Sequence, residues 1–204
     1  PTANKSTSKT LSLMLTTICI TILAYMLLGK DIKSQLAKLE GVDWRSKAAD
    51  ILSPIKVYAN RVGRTAVRPV LQLYYVLTGS ETTLTEKAML YAAVIYTVMP
   101  ASALPQRVFK FLGILDEGAA VLYVFNKVRE KITPAVEAKV DATIEKWFGY
   151  EYATIISESK NPDDVVRVEG ASFENKKVGK TLLDERSLRI CRTLVEAASR
   201  YDLK

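Results

Sequence analysis

Asp116 and Glu117 are the side chains whose type and spacing most suggest chemistry in this 204-residue chain, because they stand together within an apolar stretch. Two carboxylates share a proton or a metal ion only when they face each other. Adjacent helical residues point about 100° apart, so this pair does not form such a dyad. Its ordinary role is to open a helix, where carboxylates interact favourably with the dipole, or to tie a turn through Arg107 or Lys110. The functional alternative is a transport or enzyme-accessory role for the same two groups.

Gly179-Lys180-Thr181 resembles the end of a phosphate-binding loop, which needs a further glycine five residues earlier. Glu174 stands there, and its charge would repel the phosphate that the loop amides should hold. The chain has no histidine, so the commonest general base and metal ligand is missing. Its two cysteines, Cys19 and Cys191, are too few for a zinc site and too far apart to read as a disulfide framework. No residue is singled out as catalytic, metal-binding or cofactor-binding, and the chain reads as a non-enzyme without a cofactor or a small-molecule substrate.

Arg61, Arg64 and Arg68 fall at i, i+3 and i+7, which on an unbroken helix is one face. That face is either solvated or laid on anionic lipid headgroups. Nucleic acid is not expected, because no aromatics are interleaved with the cations.

The elements that must position these groups are helical. Residues 10–29 carry no charge between Lys9 and Lys30 and are about 30 Å long as a helix, the depth of a bilayer core. This stretch is expected to be an N-terminal transmembrane anchor. Ser12, Thr16, Thr17 and Thr21 can bond their hydroxyls to the preceding turn. A short amphipathic helix then stops at Gly41. Gly79 is expected to close the next helix in the left-handed conformation.

Thr83 and Glu86 have the spacing of a capping box ahead of an uncharged run, residues 88–106. That run is broken by Pro100 and Pro105, which predicts an apolar helical hairpin, either inserted in a membrane or packed in a helical domain. A further helix runs from Glu117 to Lys131. Thr133-Pro134 then starts an amphipathic helix with Val136, Val140, Ile144 and Phe148 on its inner stripe, ending at Gly149. Residues 151–169 flank Asn161-Pro162-Asp163 and fit a small β-hairpin or an irregular loop. A last helix, capped by Thr181, carries Leu188, Cys191, Leu194, Val195 and Ala198 on one side.

The segment from about Trp44 to Phe148 resembles the YkvA-like family, a domain of unknown function. Its members carry a helical hairpin with a Pro-x-Asp-Leu-Ile-Pro-Asp turn and a downstream glycine followed by an acidic pair. Here Pro100, Leu104 and Pro105 match the turn, and Gly113, Asp116 and Glu117 match the later element. Ser102 and Gln106 stand where the family has acids. The resemblance implies a helical fold and membrane association but no activity.

Net charge is +7, and all of the excess lies in residues 1–110. The expected protein is therefore all-α, with three parts. Residues 1–30 form a tail and anchor, 31–149 a YkvA-like helical domain, and 150–204 an appendage. It is expected to act as a membrane-associated scaffold, adaptor or assembly subunit, with lipid and a protein as partners. Lys30, Lys33, Lys38, Arg45 and Lys47 follow the anchor, whereas only Lys5 and Lys9 precede it, which places the main domain on the cytoplasmic side.

Overall fold

The computed structural model describes residues 2–100, 117–158, 189–190 and 192–197. Among these the protein is mostly helical, with no strand. Helix α1 covers Thr2–Leu27. Two backbone bonds close it, Gly29 N–H to Met26 O at 3.2 Å and Lys30 N–H to Tyr25 O at 2.8 Å. This pairing needs a left-handed residue at its centre, which Gly29 supplies with φ of 65°.

Helix α2 (Lys33–Leu36) runs into a 3-10 turn over Ala37–Leu39 and stops before Gly41, as its pattern predicts. Asp43 then caps α3 (Trp44–Leu77), its carboxylate accepting from the amides of Arg45 and Ser46. The helix is broken at Gly63, where φ is 82° and ψ is −178°. Side chains with a β-carbon avoid that conformation, so glycine lets the chain leave one helix and start another within a single residue. The two halves are residues 44–62 and 64–77, and Pro54 and Pro69 lie inside them.

The turn after α3 corrects the expectation at Gly79, which does not adopt a left-handed conformation. Thr78 ends the helix instead, with its amide bonded to Tyr74 O. Glycine at 79 relieves crowding, since a β-carbon there would meet Val76 O at 3.1 Å and Thr82 Oγ1 at 3.3 Å and one of them would have to shift. Helix α4 (Leu84–Val98) begins with the full capping box, Thr83 and Glu86 each satisfying the other's backbone amide. It ends because Met99 is extended, with ψ of 137°, as a residue before proline prefers.

Every residue of α4 from Ala88 to Val98 is buried. A helix apolar on all sides needs partners on all sides. Helices α1, α3 and α5 (Glu117–Val128) supply them, α5 through Val121, Val124, Phe125 and Val128. The apolar stretch of 88–98 is thus a central core helix. The second arm of the hairpin, from 101 to 116, lies outside the described residues.

A 3-10 turn over Arg129–Lys131 leads to α6 (Pro134–Glu158), which packs on α3. Val140 and Ile144 are fully buried and Val136 and Phe148 half-buried, matching the stripe read from sequence. Two expectations fail here. The helix does not end at Gly149, and no hairpin begins near 151, because α6 continues to Glu158. A glycine costs a helix only about 1 kcal/mol, and no proline follows until Pro162. Residues 159–169 lie outside the described set, as do Thr181, Leu188, Cys191 and Ala198. Residues 189–190 and 192–197 are helical, with Ile190, Leu194 and Ala197 buried.

Among the described residues no helix is long and apolar enough to cross a membrane. The stand-alone transmembrane anchor expected for residues 10–29 is not supported. One face of α1 (Leu15, Cys19, Ile22 and Leu23) is buried, and the helix packs against α4. The sequence could not distinguish an apolar face pressed on protein from one pressed on lipid.

Because Leu90 is fully buried within the central helix, Leu90→Ala is expected to lower unfolding free energy by about 2–5 kcal/mol. Urea denaturation followed by circular dichroism measures this; a loss under about 1 kcal/mol would contradict the packing described.

Candidate interaction surface

The three arginines do not form one face. Gly63 separates Arg61 from the other two, and the helical count does not carry across it. Arg61 is exposed, Arg64 is partly buried, and Arg68 is drawn to α6. Arg68 Nη1 donates to Glu137 Oε2 at 2.8 Å, and Nη2 donates to Asp141. One helical turn on, Gln72 Nε2 donates to Glu137 Oε1 at 2.5 Å. Tyr75 and Thr143 share a hydroxyl hydrogen bond of 2.6 Å. Arg68 is therefore a structural fastener between α3 and α6.

Sequence reasoning missed this network, although Glu137 and Asp141 at i and i+4 are a readable acidic face. What could not be read is which cation that face meets, because the pairing spans 69 residues. A second fastener was likewise missed. Lys131 Nζ donates to Glu86 Oε2 at 2.6 Å and to Glu81 O at 3.0 Å, joining the α5–α6 corner to the start of α4.

Of the family-like motif, Pro100 follows the end of α4 and is exposed, and Glu117 opens α5. Leu104, Pro105, Gly113 and Asp116 lie outside the described residues, so the structure does not bring the motif together. Among the described residues no group of three or more histidine, cysteine or acidic side chains could hold a metal ion. Cys19 is fully buried.

The outer face of α1 has the least ordinary composition. Leu13 and Met14 are 47% and 58% exposed, and Leu28 is 39% exposed. Thr17 and Thr21 lie on the same side, and no charge interrupts it before Lys30. Each threonine turns its hydroxyl back to its own helix, Thr17 to Leu13 O at 2.9 Å and Thr21 to Thr17 O at 2.7 Å. Thr16 does the same to Ser12 O at 2.9 Å. The face thus offers no unsatisfied hydroxyl donor from these threonines, as the sequence anticipated. At its end Lys30 Nζ lies 5.6 Å from the centre of the Tyr25 ring. An aromatic ring and a long cation together suit a boundary between apolar and wet surroundings.

Two outcomes follow. Arg68→Met is expected to cost about 1–2 kcal/mol of stability, since the guanidinium is partly exposed and screened. A double-mutant cycle with Glu137→Gln in urea should show coupling; strict additivity would mean that the ion pair contributes nothing.

Glu86 sets an acid dependence. Partial burial pushes its carboxyl up, but Lys131 and the amide and hydroxyl of Thr83 outweigh burial and hold it below the ordinary glutamate value. Its contribution is full above that ordinary value and is lost as pH falls through the lower folded-state value. Glu86→Gln should flatten the acid limb of a stability–pH curve; an unchanged limb would remove Glu86 from the account.

No family model, no curated protein and no solved structure matches this chain.

Proposed function

We propose that the protein is a membrane-apposed, non-enzymatic helical scaffold or assembly subunit that rests on lipid through the outer face of α1. The carrying observation is that face itself. Exposed Leu13, Met14 and Leu28 share it with threonines whose hydroxyls are bonded internally, and Lys30 over Tyr25 marks its end. The exposed apolar positions on this uncharged face lie in two patches, Leu13 with Met14 and Leu28, on either side of the buried Ala24, and apolar surface of this kind prefers acyl chains to water. The inner face packs on α4, so α1 lies along the membrane surface with the bundle beneath it.

Three features support the reading. Lys30, Lys33 and Lys38 follow the apolar face directly and are exposed, where they meet headgroups. Their excess over Lys5 and Lys9 favours a cytoplasmic side for the bundle. The resemblance of residues 44–148 to the YkvA-like family points to membrane association as well. A protein partner bound to the bundle is part of the proposal, because a scaffold needs a second client besides lipid.

Flotation of the full chain with vesicles on a sucrose gradient tests this. Unaltered protein should rise with the lipid, and Leu13→Lys with Met14→Lys should reduce the floated fraction about tenfold while leaving thermal unfolding in place, as both side chains point outward. Protein that stays at the bottom, or a double variant that floats as well as the parent, would sink the proposal.

A further inference from the structure

The first half of α3, residues 44–62, keeps its apolar stripe in the core and turns a basic face outward. Ile51, Ile55, Tyr58 and Val62 are buried on the inner side. At about 100° per residue, Arg45 and Lys56 border the outer side on one flank, and Lys47 and Arg61 on the other. Between the flanks lie Ser46, Ser53, Val57 and Asn60, all exposed. The one acid in residues 45–61 is Asp50, which pairs with Lys47 at 3.3 Å. The side chains of Arg45, Lys56 and Arg61 are exposed and make no ion pair or hydrogen bond among the described residues.

Three uncompensated cations spread along about 24 Å of helix repel one another mildly and attract acids. Val57, 50% exposed, stands among them as an apolar knob. An apolar centre with a charged rim suits a protein partner that brings carboxylates and an aliphatic contact together. Ser46, Ser53 and Asn60 recur every seven residues, and their short side chains let a second helix lie close alongside.

Two other occupants fit less well. Among the described residues α1 and α3 each pack on α4 but touch each other little. Helices side by side around a central one would touch, so the outer faces of α1 and α3 point in diverging directions. A flat bilayer under α1 therefore does not reach this face, an exclusion that rests on the lipid contact assigned to α1. Nucleic acid would look for rings on which bases stack, and the one aromatic in residues 45–61, Tyr58, is buried.

We propose that the outer face of residues 45–61 is the docking surface for the scaffold's protein client, an acidic amphipathic helix laid along α3. Its carboxylates meet Arg45 and Lys56 on one flank and Arg61 on the other, and an aliphatic side chain covers Val57. The core stripe stays in place, and no helix of the bundle has to move.

The probe is a fluorescein-labelled synthetic helix of about 18 residues, with glutamates on both borders of an alanine and leucine stripe. Anisotropy with the full-length chain, free of lipid, measures its binding at low and high salt. The glutamate peptide should bind, weaken about fivefold in high salt, and outbind a peptide with lysine at the same positions. Lys56→Glu with Arg61→Glu should weaken it about tenfold. Lys139→Glu with Lys146→Glu makes the same change in net charge on α6 and should leave binding within about twofold. Val57→Ser, which alters no charge, should weaken it about threefold. All these side chains are exposed, so thermal unfolding should stay that of the parent.

Equal loss in the two charge variants would mean attraction to net charge alone and would overturn the docking surface. So would a glutamate peptide that fails to bind at low salt. Flotation of Lys56→Glu with Arg61→Glu on anionic vesicles should match the parent; a fall would give the face to lipid. An oligouridine strand bound more tightly than the peptide, and lost in the same variant, would give it to nucleic acid. A parent chain that does not float removes the α1 contact alone, because the peptide is read without lipid.

Discussion

A helix without a polar side has to be surrounded, and α4 is such a helix. From Ala88 to Val98 every residue is buried. The positions of α1, α3 and α5 answer that demand, since each packs apolar side chains against α4. The polar groups that do enter the core are bonded locally. Thr97 returns its hydroxyl to Ala93 O at 2.8 Å, and Thr82 reaches Val76 O at 2.6 Å. Burial of this kind is strong but indifferent to direction, so it does not by itself fix how the helices are registered.

Register comes from the periphery. Arg68, Gln72 and Tyr75 meet Glu137, Asp141 and Thr143 along two successive turns, which sets α3 against α6. Charge-assisted bonds are short and directional, and half-exposed positions spare them the full penalty of desolvation. The division is physical. Apolar area holds α4 in the centre, and a few polar contacts decide how the outer helices sit.

Much of this was written locally. The capping box of Thr83 and Glu86, the start at Thr133-Pro134 and the stripe of Val136, Val140, Ile144 and Phe148 are signals spanning a few residues, and each one appears in the structure. Signals that depend on distant partners were not readable. The meeting of Arg68 with Glu137 needs the fold before the pair exists. The break at Gly63 was missed because a glycine among helix formers is usually tolerated, and only the backbone angles reveal that this one is used. Gly149 shows the converse, a glycine taken for a stop that the helix passes through. The apolar run of residues 10–29 was read for its length, yet length and hydropathy do not tell which neighbour covers a face.

Glu86 Oε2 accepts three donors at once: the Thr83 amide at 2.8 Å, the Thr83 hydroxyl at 3.0 Å and Lys131 Nζ at 2.6 Å. The first two keep the opening turn of α4 wound, and the third holds a corner lying 45 residues later in the chain. With one oxygen common to both tasks, fraying at the helix end and detachment of the corner become a single event. The molecule thereby gains cooperativity between distant parts of its sequence from one atom.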